Sequence, residues 1–364
     1  MAFPKNGVVE APKIVPSAFG LLAVVEPENS SNEDQWVRGF SQEWDSEVSS
    51  IINIDDTDST EVEIHVAASA VTRYKEIKPF FIEVEDTHSG LGFLGIDRIA
   101  RIKRQLEAVT QKAIEAELWD GGVRIAEGHQ NAALVSNTAT VLNSGAALSA
   151  KRALALLEAK IAEVSPAGEQ GIIHMTRDVA ALLSSNSQML FHNKDVDHLQ
   201  TMGGTPVIIG SGYSGNGPRI ATVDTASIVS GTLTVNFTGA HGLSNGDIVS
   251  FLVTGDSIEA GLDDAVVTVV DSNTITLGTG YSPNATLQAV TGYVQFVAST
   301  EDKWIYATGT VRTYVGDVDV VNDNLAQAYD VSGNQNDMRL KAIRPAAVYF
   351  DTSIHLAVRV DLTA

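Results

Sequence analysis

What most narrows the folds open to this chain is the stretch 97–122, DRIARIKRQLEAVTQKAIEAELWDGG, which reads as one long amphipathic helix stopping at a Trp-Asp-Gly-Gly corner. Ile99, Ile102, Leu106, Val109, Ala113 and Ala116 recur at three and four residues and are expected on one buried face. Asp97 is placed to cap the first turn, and Gly121 suits the left-handed residue after the last. A helix over 97–119 is roughly 35 Å long at about 1.5 Å per residue. A rod of that length needs a large body on which to lay its apolar side.

The body is available. With 364 residues, 44% of them hydrophobic, the chain can hold two or three domains around real cores. The formal charge of −21, with no Lys/Arg cluster, argues against nucleic-acid binding through a basic surface. There is no cysteine, which removes disulfides, thiolate metal sites and thiol nucleophiles together. The N-terminal stretch lacks the basic-then-apolar order of a signal peptide, and no apolar run approaches the ~18 residues of a membrane span.

Residues 1–50 carry Pro4, Pro12, Pro16 and Pro27 and are expected to form an extended arm with a short helix near 33–40. Phe3, Phe19, Leu21, Leu22, Trp36, Phe40 and Trp44 are too many large apolar groups for a solvated tail, so the arm should dock somewhere. Alternation at 61–66 and 80–85 predicts two strands of a long two-stranded projection that needs a partner surface. Beyond the long helix, Ser149 is expected to cap a second helix bearing Leu154, Leu157, Ile161 and Val164 and ending at Pro166. A strand over 171–175 follows, then a third helix capped by Thr176, and a buried strand over 207–209. From about Thr222 the texture becomes Thr, Val, Gly, Asn and Asp in short alternating runs, with turn signals at 244–247 and 271–273. This predicts an all-β module at 222–297 inserted into an α+β host, which resumes at Trp304 and closes with strands over 347–350 and 354–362.

Candidate chemistry is sparse. Gly210-Ser-Gly212-Tyr-Ser-Gly215 fits a GxGxxG pattern, but Asn216-Gly217-Pro218 follows where a dinucleotide site needs a helix, so a glycine-rich bend is expected. His192 and His198 with Asp195 and Asp197 have no recognised metal spacing. Asp55, Asp56 and Asp58 lack the glycine and glutamate of a calcium loop, and Asp317, Asp319 and Asp323 are read alike as solvated. His174 and Asp178 near Ser184 and Ser185 lack a nucleophile elbow. No catalytic, cofactor-binding or metal-binding residue is assigned, and no enzyme activity is expected.

In chain order, IKPFFIEVEDTHSGLGF, the helix ending IEAELWDGG, RALALLEAKI, GIIHMTRDVAALL, GGTPVIIGSGYSGNGP, WIYATGTVRTYVGDVDV and RLKAIRPAAVYFDTSIHLAVRVDL together resemble a major capsid protein of a tailed bacteriophage, of the HK97-like fold. The resemblance covers most of 70–220 and 298–362. It implies an N-terminal arm (1–52), an extended loop (53–90), a peripheral domain (91–200) carrying the spine helix 97–119, an axial domain (201–221 and 298–335) and a return to the peripheral domain (336–364). The inserted segment, through AHGLSNGDIVSFLVTG and VVTVVDSNTITL, resembles small β-barrel repeats of the FCCH type. The resemblance further implies hexamers and pentamers of an icosahedral shell in the virion, assembled in the host bacterial cytoplasm and enclosing DNA without binding it specifically or touching a membrane. Separate scaffolding, portal and decoration proteins would be partners. Some such proteins crosslink Lys to Asn between subunits, and here Lys75, Lys78, Asn322, Asn324, Asn334 and Asn336 are the residues in place. An encapsulin-like compartment shell and a phage tail or decoration protein are the alternatives.

Overall fold

In the computed structural model the described residues are 17–30, 33–44, 48–55, 63–68, 73–89, 98–122, 131–165, 170–187, 190–193, 198–220, 223–229, 232–239, 241–254, 262–279, 285–287, 291–322 and 337–363. The long helix spans Arg98–Asp120 and gives way to Gly121 at φ +62°, the left-handed position expected of it. Asp97 lies outside the described residues. The buried face differs from the expected one. Ile102 and Leu106 are buried, but Ile99 and Val109 are exposed, and the stripe continues through Thr110, Ile114 and Leu118. Each step of four advances only about 40° round the helix, so this series drifts slowly across one side. In the last turns Gln111, Glu115, Glu117 and Trp119 are buried too, because the chain wraps the helix there.

A five-stranded sheet receives the apolar stripe. Phe80–Ser89 pairs antiparallel with the long strand Asp337–Phe350, whose other edge takes Val311–Val315 and Asp319–Asn322. Phe80, Ile82, Ala342, Ala346 and Phe350 share one core with Ile102 and Leu106. The expected pairing of 61–66 with 80–85 is therefore corrected. Glu63–Ala68 pairs with Val48–Asp55, and Arg73–Ile77 with Phe40–Trp44. Two separate two-stranded pairings thus lie within 40–77, and 80–89 belongs to the body rather than to an extended loop of 53–90. Alternation reveals that a strand has two unlike faces; it does not name the partner strand.

An eight-stranded sheet forms the second layer, in the order Leu190–Asn193, His198–Thr201, Pro206–Ile209, Ile172–Met175, Asp302–Thr308, His355–Asp361 and Thr140–Val141, with Leu148–Ser149 also on His355–Asp361. The second helix (Ala150–Val164) and third helix (Arg177–Ser187) cover one face, burying Leu154, Leu157, Ile161, Val179 and Leu183 against Ile173, Met175, Ile305 and Val358. The other face gives Ile208, Trp304 and Tyr306 to the core of the long helix. Ser149 and Thr176 stand at the expected helix starts, yet Ser149 makes no side-chain capping bond and the Thr176 hydroxyl has no partner. This sheet spans both sides of residue 200, so the expected boundary between peripheral 91–200 and axial 201–221 falls inside one hydrogen-bonded layer. The closing strand His355–Asp361 likewise joins Asp302–Thr308 and not the sheet of 337–350.

The N-terminal arm is also corrected. From Ser17 onward it is built into its own chain. Leu21 is fully buried, Ile209 N donates to Phe19 O at 2.7 Å, and Glu28–Asn29 adds a parallel strand to Tyr314–Val315. Trp36 packs edge-on against Phe40, which stacks on Tyr314 with centroids 4.3 Å apart. Leu21, Trp36 and Phe40 dock on their own chain, and the Trp44 side chain lies outside the described residues. Phe3 lies outside the described residues.

Residues 219–296 contribute an all-β sheet of eight strands. Its ends are side by side, because Arg219–Ile220 pairs antiparallel with Val294–Gln295. Its strands share the host core: Phe296 lies 5.2 Å from Trp304, and Arg359 of the host reaches Asp247 of the module (3.0 Å) and Asp302 of the host (2.9 Å). Gly217 lets the neck close, since a Cβ there would stand 2.4 Å from Trp304 Nε1.

The burial pattern makes a direct prediction. Leu106→Asp places an unpaired carboxylate in the core and should cost several kcal/mol, whereas Gln105→Asp, on the half-exposed side, should cost less than about 1 kcal/mol. Urea denaturation of the two variants measures the difference; equal losses would contradict the assigned face.

Candidate assembly surface and the glycine-rich turn

The turn after the strand Pro206–Ile209 binds an anion, and the anion belongs to the protein. Glu115, fully buried on the long helix, accepts Ser211 N (2.6 Å), Gly212 N (2.8 Å) and Ser211 Oγ (3.0 Å) at Oε2, and Leu21 N (3.0 Å) and Gln111 Nε2 (2.8 Å) at Oε1. Five donors from three segments replace the water this carboxylate gives up on burial. A Cβ on Gly212 would lie 2.2 Å from Lys112 O, so that position needs glycine for the backbone to come this close, and one on Gly20 would displace the Gln111 amide, whose Nε2 would stand 1.5 Å away. One turn on, Asp120 Oδ1 accepts Ser214 Oγ (2.8 Å) and Asn216 Nδ2 (3.3 Å), and burial pushes its pKa up. Trp119 Nε1 and Tyr306 hydroxyl both donate to Asn216 O at 3.1 Å. The expected glycine-rich bend is present, and its role is to hold the long helix. Sequence reasoning passed over Glu115; the available signal was a glutamate between Ile114 and Leu118, at a buried position.

The remaining candidates do not converge on a reaction centre. His174 is enclosed: Tyr213 hydroxyl is 2.9 Å from Nδ1, and Thr308 Oγ1, which donates to Gly309 O, is 2.9 Å from Nε2. With the Thr308 proton committed, Nε2 carries the hydrogen and Nδ1 accepts from tyrosine. Burial lowers the His174 pKa to about 3. Asp178 sits in the first turn of the third helix and Ser184 donates to Ala181 O, so neither joins His174; the Ser185 side chain lies outside the described residues. His192 and His198 fall on neighbouring strands, and His198 contacts Gln200, while Asp195 and Asp197 lie outside the described residues. Asp56, Asp58 and Asp323 are outside as well; Asp317 and Asp319 are exposed. No group of three or more metal-ligating side chains occurs among the described residues. Lys78 Nζ donates to Arg38 O at 2.8 Å, whereas the side chains of Lys75, Asn322, Asn324, Asn334 and Asn336 are not among those described.

What the described chain does present is a surface. Phe40–Trp44 with Arg73–Ile77, and Val48–Asp55 with Glu63–Ala68, are sheets of two strands, and no third strand among the described residues joins either. Val48–Asp55 alone has 8 residues and reaches roughly 26 Å at about 3.3 Å each. The ribbon's base is fixed by buried Phe40 and Ile77 and by Asn131, which accepts Lys78 N (2.8 Å) and donates to Lys78 O (2.7 Å). On the nearby sheet, Phe81 is 61% and Val321 41% exposed. Registers place both on the face turned away from the long helix, opposite Pro345 and Lys341. No helix among the described residues is long and apolar enough to cross a membrane.

No known family and no curated protein matches the sequence. Among solved structures, the chain is similar to the capsid of an empty GTA particle (9% identity, TM-score 0.47, covering 99% of this chain and 95% of that one). It is also similar to a structure from Microbacterium phage Oxtober96 (10%, TM-score 0.43, 99% and 96%) and to the holo-SrpI encapsulin complex of Synechococcus elongatus (10%, TM-score 0.40, 100% and 94%).

Two outcomes follow from the buried polar groups. Glu115→Gln would turn an acceptor into a donor facing amides and should cost about 3 kcal/mol or more, with Glu107→Gln on the exposed side as a near-neutral control; differential scanning calorimetry reads both. Burial also lowers His355 to about 4, with Nε2 donating to Leu134 O at 2.9 Å. His174 and His355 are neutral when folded and titrate near 6.5 when unfolded, so their contribution is complete above about pH 6.5 and is lost as pH falls toward 4. Each proton taken up on unfolding adds about 1.4 kcal/mol per pH unit of slope. His355→Gln should flatten the stability–pH curve between pH 6.5 and 4.5 by about that amount; an unchanged slope would exclude the assignment.

Proposed function

We propose that this chain is a major capsid protein of the HK97-like class that assembles, through hexamers and pentamers, into the icosahedral shell of a phage head. The observation that carries the reading is the ribbon over 40–77. It is anchored at its base, yet no strand of its own chain among the described residues covers it. An isolated two-stranded ribbon is marginal in water, so it requires a surface from elsewhere. Neighbouring copies supply one in a shell, where obligate contacts bury about 2,000 Å² or more. Phe81 and Val321 extend the surface for such contacts.

The acidity suits the content. A wall with a formal charge of −21 is repelled by packed DNA and encloses it without specific binding. Scaffolding, portal and decoration proteins would be separate partners, and the inserted sheet a fixed appendage of the subunit. Assembly in the host cytoplasm and residence in the virion complete the reading.

The test is to shorten the ribbon. Replacing 45–72 by a two-residue Asn-Gly turn joins Trp44 to Arg73, which are already opposite each other. This variant should fold with a thermal midpoint close to that of the full chain and remain as free subunits under conditions in which the full chain assembles. Negative-stain microscopy and sedimentation velocity read the result. Shells of normal size from the shortened chain would defeat the proposal.

A further inference from the structure

Four adjacent strands of the inserted sheet turn uncharged rows outward. Along Thr232–Phe237 the residues Leu233, Val235 and Phe237 are buried, while Thr234 and Asn236 between them are half-buried, and neighbouring strands alternate in step. The registers align the outward residues. Ser227 stands beside Thr234, Thr234 beside Thr276, and Thr276 beside Thr268. In the next row Asn236 lies between Thr225 and Thr274 and bonds both, donating Nδ2 to Thr225 Oγ1 (2.9 Å) and accepting Thr274 Oγ1 at Oδ1 (3.1 Å). That row continues to Val270, whose N donates to Thr274 O at 3.0 Å. Val270 is 60% exposed, and Val266, two residues before Thr268, is 55% exposed. Asp224, at the bulge beside Thr225, and Asp271, after Val270, bound the second row at its two ends. Between them the rows hold neither a charged nor an aromatic side chain, although soluble surfaces are about a quarter to a third charged.

We propose that this face packs on the same face of a second copy of this chain, sheet against sheet about 10 Å apart, around a two-fold axis near Thr234 and Thr276. Charge selects the occupant. Each copy carries −21, so copies repel wherever carboxylates face each other and can meet where none stands. The rows offer no cation to a polyanion and no aromatic plane to a stacking ring. Hydroxyls both donate and accept, so a Thr/Ser row is complementary to its own image, as a two-fold contact requires. Four strands about 4.8 Å apart, each giving five residues at about 3.3 Å, make roughly 320 Å² per copy, or about 640 Å² for the pair. Pairs that are stable alone bury about 1,200 Å² or more. Dilute subunits therefore stay apart through this face, and the contact closes where a shell raises the effective concentration to about millimolar. The shell arm rests on the proposed function; the face contact itself does not.

The chain has no cysteine, so a single introduced thiol reports a contact without background. Thr276→Cys in the full chain is treated with a short thiol-specific crosslinker, and Ser244→Cys, on an exposed turn of the same sheet, is the control. In free subunits concentrated to about millimolar, and in assembled particles, Thr276→Cys should give covalent dimers roughly tenfold faster than Ser244→Cys. In dilute free subunits the two rates should match. Adding Thr268→Glu sets like charges face to face and should remove the excess, whereas Thr268→Ser should keep it. Micrographs of the same samples show whether shells formed. Their absence would count against the proposed function, and the concentrated subunits would still decide the face contact. Equal rates for Thr276→Cys and Ser244→Cys in every preparation above the dilute one, or an excess that survives Thr268→Glu, overturns the proposal.

Discussion

The body of the molecule closes around one buried carboxylate. Glu115 is reached by the arm through Leu21, by its own helix through Gln111 and by the glycine-rich turn through Ser211 and Gly212. These segments lie about ninety residues apart along the chain. The bonds are charge-assisted and therefore stronger than ordinary amide pairs. Because they come from neutral donors, the carboxylate fixes position without a buried cation to desolvate. Gly212 then follows from geometry, since a side chain there would meet the backbone of the long helix, and one at Gly20 would push the Gln111 amide off the carboxylate.

Around that point, aromatic packing extends the order outward. Trp119 touches Tyr213 at 4.6 Å and Tyr306 at 5.0 Å, and Tyr213 hands its hydroxyl to His174. The chain of donors from Tyr213 through His174 to Thr308 and Gly309 locks the glycine-rich turn to two strands of the eight-stranded sheet. The long helix is thus held at its C-terminal half by polar groups and along its length by apolar ones, and the two sheets meet across it.

Much of this was legible in the residues. The C-terminal end of the long helix, the second and third helices, and the all-β character of 223–296 follow from local periodicity and turn chemistry, which neighbours in sequence determine. What was not legible depends on partners distant in sequence. The buried side of the long helix includes the polar residues Thr110, Gln111, Glu115 and Glu117, which no apolar periodicity selects, and the burial of Glu115 is made tolerable by donors distant in sequence. The partner of 61–66 and the docking of Leu21 and Trp36 are pairings between segments that no local pattern encodes. The glycine-rich turn was recognised as a bend, but its ligand could not be read without knowing that Glu115 points at it.

The adjacent ends of the inserted sheet also decide how it responds to force. Both strands leave the host through the antiparallel neck formed by Arg219–Ile220 and Val294–Gln295. A pull on the module's outer end loads the neck's hydrogen bonds one after another, as a zipper is opened, instead of shearing a whole ladder at once. The Arg359–Asp247 ion pair and the Phe296–Trp304 contact stand beside that neck, so the same pull also loads the two host strands that carry Arg359 and Trp304.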